Sequence, residues 1–175
     1  EPAACSDSSS SNWIQYASGN APSWIFMVGG MHVSFRDRIG IDLGRRVSIE
    51  EGIALAAEND VLYIDAQMDI APNAMESFDE QRCANVRDAC TANGIHLGLH
   101  TLSGVNVAEI SPFLRDATDA YLKAYVDLAS KLNADWVVVH GGYHFTGCKA
   151  IRKQASIERL KRIVDYAEQK DVLLQ

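Results

Sequence analysis

This chain of 175 residues has the length of one ordinary domain, and its 47% apolar and 22% charged residues exclude a disordered chain. The net charge of −7 opposes general binding to nucleic-acid phosphates or to anionic lipids. No apolar run in the sequence approaches the roughly 20 residues that a membrane-spanning helix needs, so we expect no association with a membrane.

Residues 1–23 are predicted to form an irregular extension ahead of a domain that spans 24–175. The extension contains four consecutive serines at 8–11, followed by Gly19 and Pro22. Polar and turn-forming residues in this density are typical of segments without regular structure. We assign no function to this extension.

Five short apolar runs recur along the rest of the chain and predict β-strands. They begin near residues 24, 61, 96, 136 and 172, and continuous apolar runs are typical of strands buried on both faces. The first predicted strand covers 24–28. A regular spacing of about 35 to 40 residues indicates parallel strands that are joined by helices.

Helix signals fill the gaps between the predicted strands. Helices are expected to begin after Ser48, Ser77 and Ser111, and the last helix is expected to begin at Ser156, because serine caps free N–H groups. The first of these starts has the residues of a capping box, and Pro112 occupies the favoured first helical position of the third. Alternating strands and helices predict an α/β fold, either a doubly wound sheet or an eight-stranded barrel.

Polar residues directly follow three of the predicted strands. Asp65, His100 and His140 each come immediately after an apolar run. In a parallel barrel the C-terminal ends of the strands share one rim, where active sites are built, so we expect these side chains to meet there. The barrel is favoured also because no Gly-x-Gly-x-x-Gly motif follows the first strand. The alternative for each residue is a structural role, as a strand cap or a loop contact.

The four cysteines do not indicate a disulfide scaffold. Cys83 and Cys90 are seven residues apart in a helical pattern and are expected to be small core residues. Reduced thiols of this kind favour a cytoplasmic location.

Two motifs resemble those of the xylose-isomerase-like barrels, a superfamily that includes sugar-phosphate isomerases/epimerases and endonuclease IV. One is Gly98-Leu99-His100 after the third predicted strand, and the other is the run at 137–142, which contains His140-Gly141-Gly142. The resemblance covers 24–175 and implies a (β/α)8 TIM barrel. At this spacing the chain would supply about the first four βα units and the fifth strand of that barrel.

The resemblance implies a divalent-metal-dependent isomerase or epimerase that acts on a sugar or keto-sugar. Such an enzyme removes a proton next to a carbonyl and stabilises an enediolate, and Mn²⁺ or Mg²⁺ suits its carboxylate-rich metal site. The metal ligands and the catalytic glutamates would lie beyond Gln175, while His100 and His140 would contact the substrate. Asp65, His32 and His144 are further candidates for substrate contact, and they are chosen from their positions in the sequence rather than from the resemblance.

Three other functions remain open on the same barrel. A lyase or dehydratase could form the same enediolate, and a non-catalytic partner subunit would keep the barrel without its chemistry. An endonuclease IV-like phosphodiesterase would instead use His100 and His140 to bind zinc. The negative net charge favours a small-molecule sugar over nucleic acid as the partner, and a homo-oligomer is compatible with the sequence.

Four arginines cluster in the segment after the first predicted strand, at positions 36, 38, 45 and 46. They are either a solvated face or a clamp for a phosphate or another anionic substrate group.

Overall fold

The computed structural model describes residues 36–143 and 148–175, in which five β-strands alternate with four α-helices. The strands are β1 (Gly40–Asp42), β2 (Tyr63–Gln67), β3 (His96–His100), β4 (Trp136–Val138) and β5 (Leu173–Leu174). The helices are α1 (Ile49–Glu58), α2 (Glu80–Asn93), α3 (Pro112–Leu132) and α4 (Lys149–Glu168). Within the described ranges, no helix is long and apolar enough to cross a membrane.

The strands lie side by side in chain order, from β1 to β5, and every neighbouring pair is parallel. Each helix packs against the next one along the chain, and α1, α3 and α4 also contact the strands. A doubly wound sheet would instead change direction in its strand order and carry helices on both faces. The observed order therefore confirms the barrel-type α/β architecture that the sequence predicts.

Side chains along β2 alternate between two faces of the sheet. Ile64 and Ala66 are buried in the core between the sheet and the helices. Tyr63, Asp65 and Gln67 are partly exposed on the opposite side, which we call the inner face. In a closed barrel this face lines the interior, so its side chains near the strand ends are available to a substrate.

The core confirms the expected role of two cysteines. Cys83 and Cys90 are buried on the core-facing side of α2, and neither forms a disulfide. Burial raises the pKa of the Cys90 thiol to about 11, so this thiol stays protonated at neutral pH.

The strand next to β2 is not the one that the sequence predicts. The predicted strand at 24–28 lies outside the described residues, and Gly40–Asp42 pairs with β2 instead. The apolar-run criterion misses β1 because Ile41 is flanked by glycine and aspartate. A weaker signal was present, since Ile39, Ile41 and Leu43 alternate with other residues at the period of a strand.

Two predicted helix starts also differ. The residue that caps α2 is Asp79, whose side chain accepts from Arg82 N at 2.7 Å, whereas Ser77 lies in a short 3₁₀ turn. The last helix begins at Lys149 rather than at Ser156. Its first two turns are mostly exposed and carry little apolar periodicity, so the hydrophobic pattern of the sequence did not reveal them. The starts after Ser48 and Ser111 are confirmed.

Candidate functional site

Asp65, His100 and His140 meet near the C-terminal ends of the strands. Nδ1 of His100 lies 2.7 Å from Asp65 Oδ2, and Nε2 of His100 lies 3.1 Å from His140 Nε2. The two imidazole rings are tilted by 37° with their centroids 5.1 Å apart. The three side chains form one hydrogen-bonded array that crosses β2, β3 and the end of β4.

The register of the sheet explains how these residues meet. Asp65 pairs with Gly98, and His100 pairs with both Gln67 and Val138. Asp65 therefore lies two residues deeper along the inner face than His100. The expectation that Asp65 directly follows its strand is wrong, since β2 continues through Gln67.

Aromatic side chains occupy the inner face below this array. Tyr63 and His96 stack with their ring centroids 5.1 Å apart, and Trp136 lies 6.3 Å from Tyr63. The Trp136 indole passes over Gly98, where a Cβ atom would come within 2.1 Å of the indole nitrogen. The inner face is thus aromatic toward the N-terminal ends of the strands and polar toward their C-terminal ends.

With Asp65 ionised and both imidazole rings neutral, the two hydrogen bonds allow one arrangement of protons on the histidines. An ionised carboxylate only accepts, so Nδ1–H of His100 donates to Asp65. In the neutral ring Nε2 of His100 then carries a lone pair, which accepts the Nε2–H of His140. A substrate oxygen that takes the place of His100 Nε2 as the acceptor would receive the hydrogen bond from His140 Nε2–H.

The described residues do not by themselves form a site for a divalent metal ion. Asp65 Oδ1 is buried and has no hydrogen-bond partner among them, so this oxygen keeps an acceptor position. However, no group of three or more His, Cys, Asp or Glu side chains in the described ranges is arranged to hold a metal ion. We therefore derive no reaction step through a metal ion from these residues.

A half-buried carboxylate just after β2 binds two tyrosines of α3. Tyr121 donates to Asp69 Oδ1 at 2.8 Å, and Tyr125 donates to Oδ2 at 2.6 Å. Burial raises the pKa of both phenols, that of Tyr121 to about 12. Both hydroxyls therefore remain protonated donors at neutral pH.

The same hydroxyls hold the backbone beside His100. Met68 N donates to Tyr125 at 3.0 Å and Leu102 N donates to Tyr121 at 2.8 Å, while the Tyr125 hydroxyl lies 3.1 Å from the carbonyl oxygen of His100. These contacts fix the strand ends that present the array. This network was not predicted, because no local spacing in the sequence relates Asp69 to tyrosines on α3.

The loop that carries His140 is held by its neighbours. Asn106 accepts from Tyr143 N at 3.1 Å and donates to Tyr143 O at 3.3 Å. The buried Ser156 donates to Gly141 O at 2.8 Å.

Gly142 has φ +82°, and a Cβ atom there would lie 2.7 Å from Ala108 N. Only a glycine fits this position, and the close contact presses the loop against the segment after β3.

The four predicted arginines do not lie in one loop after a strand, because β1 separates them along the chain. A short 3₁₀ turn at Arg36–Arg38 precedes β1, whereas Arg45 and Arg46 follow it. Arg45 Nε donates to Gln67 Oε1 at 2.9 Å, which brings this side chain to the rim that carries the array. Gln67 was not among the predicted site residues, although it lies two residues after Asp65 and hence on the same face of β2.

Two further predicted candidates, His32 and His144, lie outside the described residues. They stay expected substrate contacts from the sequence.

A family model described as xylose isomerase-like TIM barrel matches residues 53–174 of this chain. A search of curated protein sequences finds no significant match.

Solved structures of sugar epimerases share the fold at low sequence identity. A D-psicose 3-epimerase in the presence of D-fructose matches with a TM-score of 0.67 and 17% identity, over 77% of this chain and 50% of that chain. A D-psicose 3-epimerase with D-tagatose from Clostridium cellulolyticum H10 gives 0.65 and 15%, over 77% and 50%. An L-ribulose 3-epimerase gives 0.64 and 13%, over 78% and 48%. The chain spans about half the length of each of these structures.

Proposed function

Because this chain belongs to the family of xylose isomerase-like TIM barrels, we propose that it supplies part of the active site of a sugar isomerase or epimerase. The observation that carries the proposal is the array of Asp65, His100 and His140. It lies at the C-terminal ends of parallel strands, the edge at which barrel enzymes carry out their chemistry. The structurally similar epimerases are named for D-psicose and L-ribulose, so ketoses are the first substrates to test.

The proposed reaction begins with removal of a proton from the carbon next to the substrate carbonyl. As this C–H bond breaks, negative charge develops on the carbonyl oxygen and an enediolate forms. An N–H donor that points at this oxygen stabilises the charge. His140 Nε2–H is the donor that the geometry favours, with the substrate oxygen taking the place of His100 Nε2 as acceptor.

His100 and Asp65 act next to this donor. Asp65 holds the His100 ring by its Nδ1–H, which keeps the Nε2 lone pair directed at His140. A His100 ring that takes up a second proton becomes a donor itself and can share the charge on the substrate oxygen. With His100 neutral the array presents one N–H group, that of His140, and with His100 doubly protonated it presents two.

The proposal includes a requirement for a divalent metal ion, Mn²⁺ or Mg²⁺, which suits oxygen ligands. The described residues form no cluster for such an ion. We therefore propose that its ligands and the carboxylates that transfer the proton are other residues of the full-length protein.

The direct test is product analysis with the full-length protein. The protein is incubated with D-fructose, D-psicose, D-tagatose and L-ribulose, with added Mn²⁺ and after treatment with a chelator, and the sugars are identified by ¹³C NMR. We expect an epimer or an aldose isomer that forms only with the metal ion. A dehydrated or cleaved product, cleavage of DNA at abasic sites, or the absence of any ketose conversion would overturn the proposal.

A further inference from the structure

A glutamine at the rim holds its amide group in one orientation. Gln67 ends β2, lies on the inner face with Asp65, and pairs in register with His100 on the neighbouring strand. Arg45 Nε lies 2.9 Å from Gln67 Oε1. An arginine N–H only donates, so the atom that faces Arg45 is the amide oxygen, and the amide nitrogen takes the other position.

The turn after β1 brings Arg45 to this glutamine. Asp42 Oδ1 accepts from Gly44 N at 2.8 Å, which closes the turn, and Arg45 is the next residue. Arg45 takes part in no ion pair with the described residues. Its contact with Gln67 is therefore a single directional hydrogen bond rather than part of a charge network.

The amide nitrogen of Gln67 has two N–H donors and no hydrogen-bond partner among the described residues. Most other side-chain amides in the described ranges do donate, as Asn73 does to Val47 O at 2.9 Å. Apart from Gln67, the described amides that donate no hydrogen bond all lie on exposed surface, and they are Asn85, Asn133, Gln169 and Gln175. Gln67 differs from these because it is partly shielded and stands beside the array.

A free amide N–H next to the array suits a hydroxyl group as its acceptor. A hydroxyl oxygen carries two lone pairs and accepts from a neutral donor without a change of charge. Adjacent strands are about 4.8 Å apart, so a polyhydroxy molecule bound at His100 can reach Gln67 with a hydroxyl a short way along its carbon chain.

We propose that Gln67 selects the sugar by donating its free amide N–H to a hydroxyl group close to the carbon atoms at the His100–His140 pair. Arg45 is a positioning residue, which keeps the amide nitrogen rather than the amide oxygen toward the substrate. This inference rests on the proposed function, because it places a ketose at the histidine pair. It adds a basis for stereochemical selection, since a sugar with the opposite configuration at that carbon loses the hydrogen bond.

Isothermal titration calorimetry with the full-length protein tests the contact. The probes are whichever of D-fructose, D-psicose and D-tagatose binds most tightly, and the 1-deoxy, 3-deoxy and 4-deoxy analogues of that sugar. Gln67→Met keeps the length of the side chain and removes its polar groups, so it should bind the parent sugar about 3- to 10-fold more weakly, as for the loss of one neutral hydrogen bond. It should leave unchanged the binding of the one analogue that lacks the contacted hydroxyl.

Two arginine variants test the positioning role. Arg45→Met frees the amide to rotate, so it should weaken binding of the parent sugar and spare the same analogue as Gln67→Met does. It should have no further effect in a double variant with Gln67→Met, because both changes act on one hydrogen bond. Arg45→Lys should restore part of the affinity, since lysine still donates to the amide oxygen. A loss that is equal for every analogue and adds to that of Gln67→Met would reduce Arg45 to a structural residue and contradict this role.

Gln169→Met is the matched control, because it removes an exposed amide at the C-terminal end of α4, where the chain leads into the start of β5. It should leave the affinity for every probe unchanged. The inference would be overturned if Gln67→Met weakened no sugar, or if it weakened the parent and every analogue equally. Failure of the wild type to bind any of the three ketoses would also overturn it.

The outcomes separate this inference from the proposed function. A protein that converts ketoses, and that binds them equally well with Gln67→Met, contradicts the contact and keeps the proposed function. Binding that depends on Gln67 and on one hydroxyl, in a protein that converts no ketose, keeps the contact and contradicts the proposed function.

Discussion

Asp65 Oδ2 lies 2.7 Å from His100 Nδ1, and both side chains are largely shielded from solvent, at 22% and 23% exposure. A second aspartate–histidine pair, Asp135 with His96, is longer at 3.2 Å and about half exposed. The first pair therefore fixes its imidazole more firmly than the second. Because His100 in turn contacts His140, the carboxylate of Asp65 determines which ring nitrogen faces His140.

Replacement of Asp65 by asparagine tests this role. The asparagine amide can donate to Nδ1 of His100 and so favours the opposite tautomer of that ring, with the proton on Nε2. This proton then faces the N–H of His140, and the hydrogen bond between the two histidines is lost. We expect kcat/KM to fall about 10- to 100-fold, the range known for outer partners that orient metal-ligating histidines. The thermal midpoint should change little. Asp135→Asn is the control and should leave kcat/KM unchanged. Full activity in Asp65→Asn would reduce Asp65 to a structural residue.

Removal of the His140 side chain tests the proposed donor. We expect His140→Ala to cost about 2–4 kcal/mol of transition-state stabilisation, measured as the ratio of kcat/KM values. Because His140 is partly exposed and follows β4, circular dichroism and the unfolding midpoint should match the wild type. An unchanged kcat/KM would remove His140 from the site.

Alanine at Gly142 tests whether the loop must lie against Ala108. The new Cβ atom would lie 2.7 Å from Ala108 N, so the loop must move and carry His140 with it. We expect a loss of both stability and kcat/KM. Gly94→Ala is the matched control, since Gly94 also has positive φ but has open space around it. It should cost only about 1–2 kcal/mol of stability, from the left-handed backbone, with unchanged kcat/KM. Equal kinetics in the two variants would contradict the positioning role of Gly142.

Acid stability should depend on an ion-pair network between α3 and α4. Asp119 bonds to the buried Arg159 and, at 2.7 Å, to Arg162. Burial alone would raise the pKa of Asp119, but the hydrogen bonds from Arg162 and Arg159 outweigh it and lower the pKa. The charged form therefore stabilises the folded state above the unfolded pKa of about 3.9, and this contribution is lost as the pH falls through the folded pKa.

Urea denaturation measures this effect. At pH 7 Asp119→Asn should lower the free energy of unfolding by about 3 kcal/mol or more, because Arg159 is left buried without its carboxylate. The difference from the wild type should shrink as the pH falls below about 4. Asp116→Asn is the control, since its pair with Arg115 is exposed and should contribute little at any pH. A difference for Asp119→Asn that is constant with pH would contradict the account.

Sequence reasoning found the histidines of the array because each follows an apolar run, and chain position alone brings parallel strand ends to one rim. It missed β1, whose three residues include only one large apolar side chain, Ile41. It also missed the contact of Arg45 with Gln67 and the binding of two tyrosines by Asp69. These contacts join residues more than 20 positions apart and depend on strand register and helix rotation, which local patterns do not contain.

Solvent deuterium exchange tests the central claim most directly. The full-length protein, with Mn²⁺, is incubated in D₂O with the ketose or ketose phosphate that it converts, and ¹H NMR follows the proton on the carbon next to the carbonyl. We predict that this proton is replaced by deuterium during turnover, and that His140→Ala slows the replacement in parallel with kcat/KM. Conversion of the sugar with the original proton fully retained would contradict an enediolate formed at the His100–His140 pair.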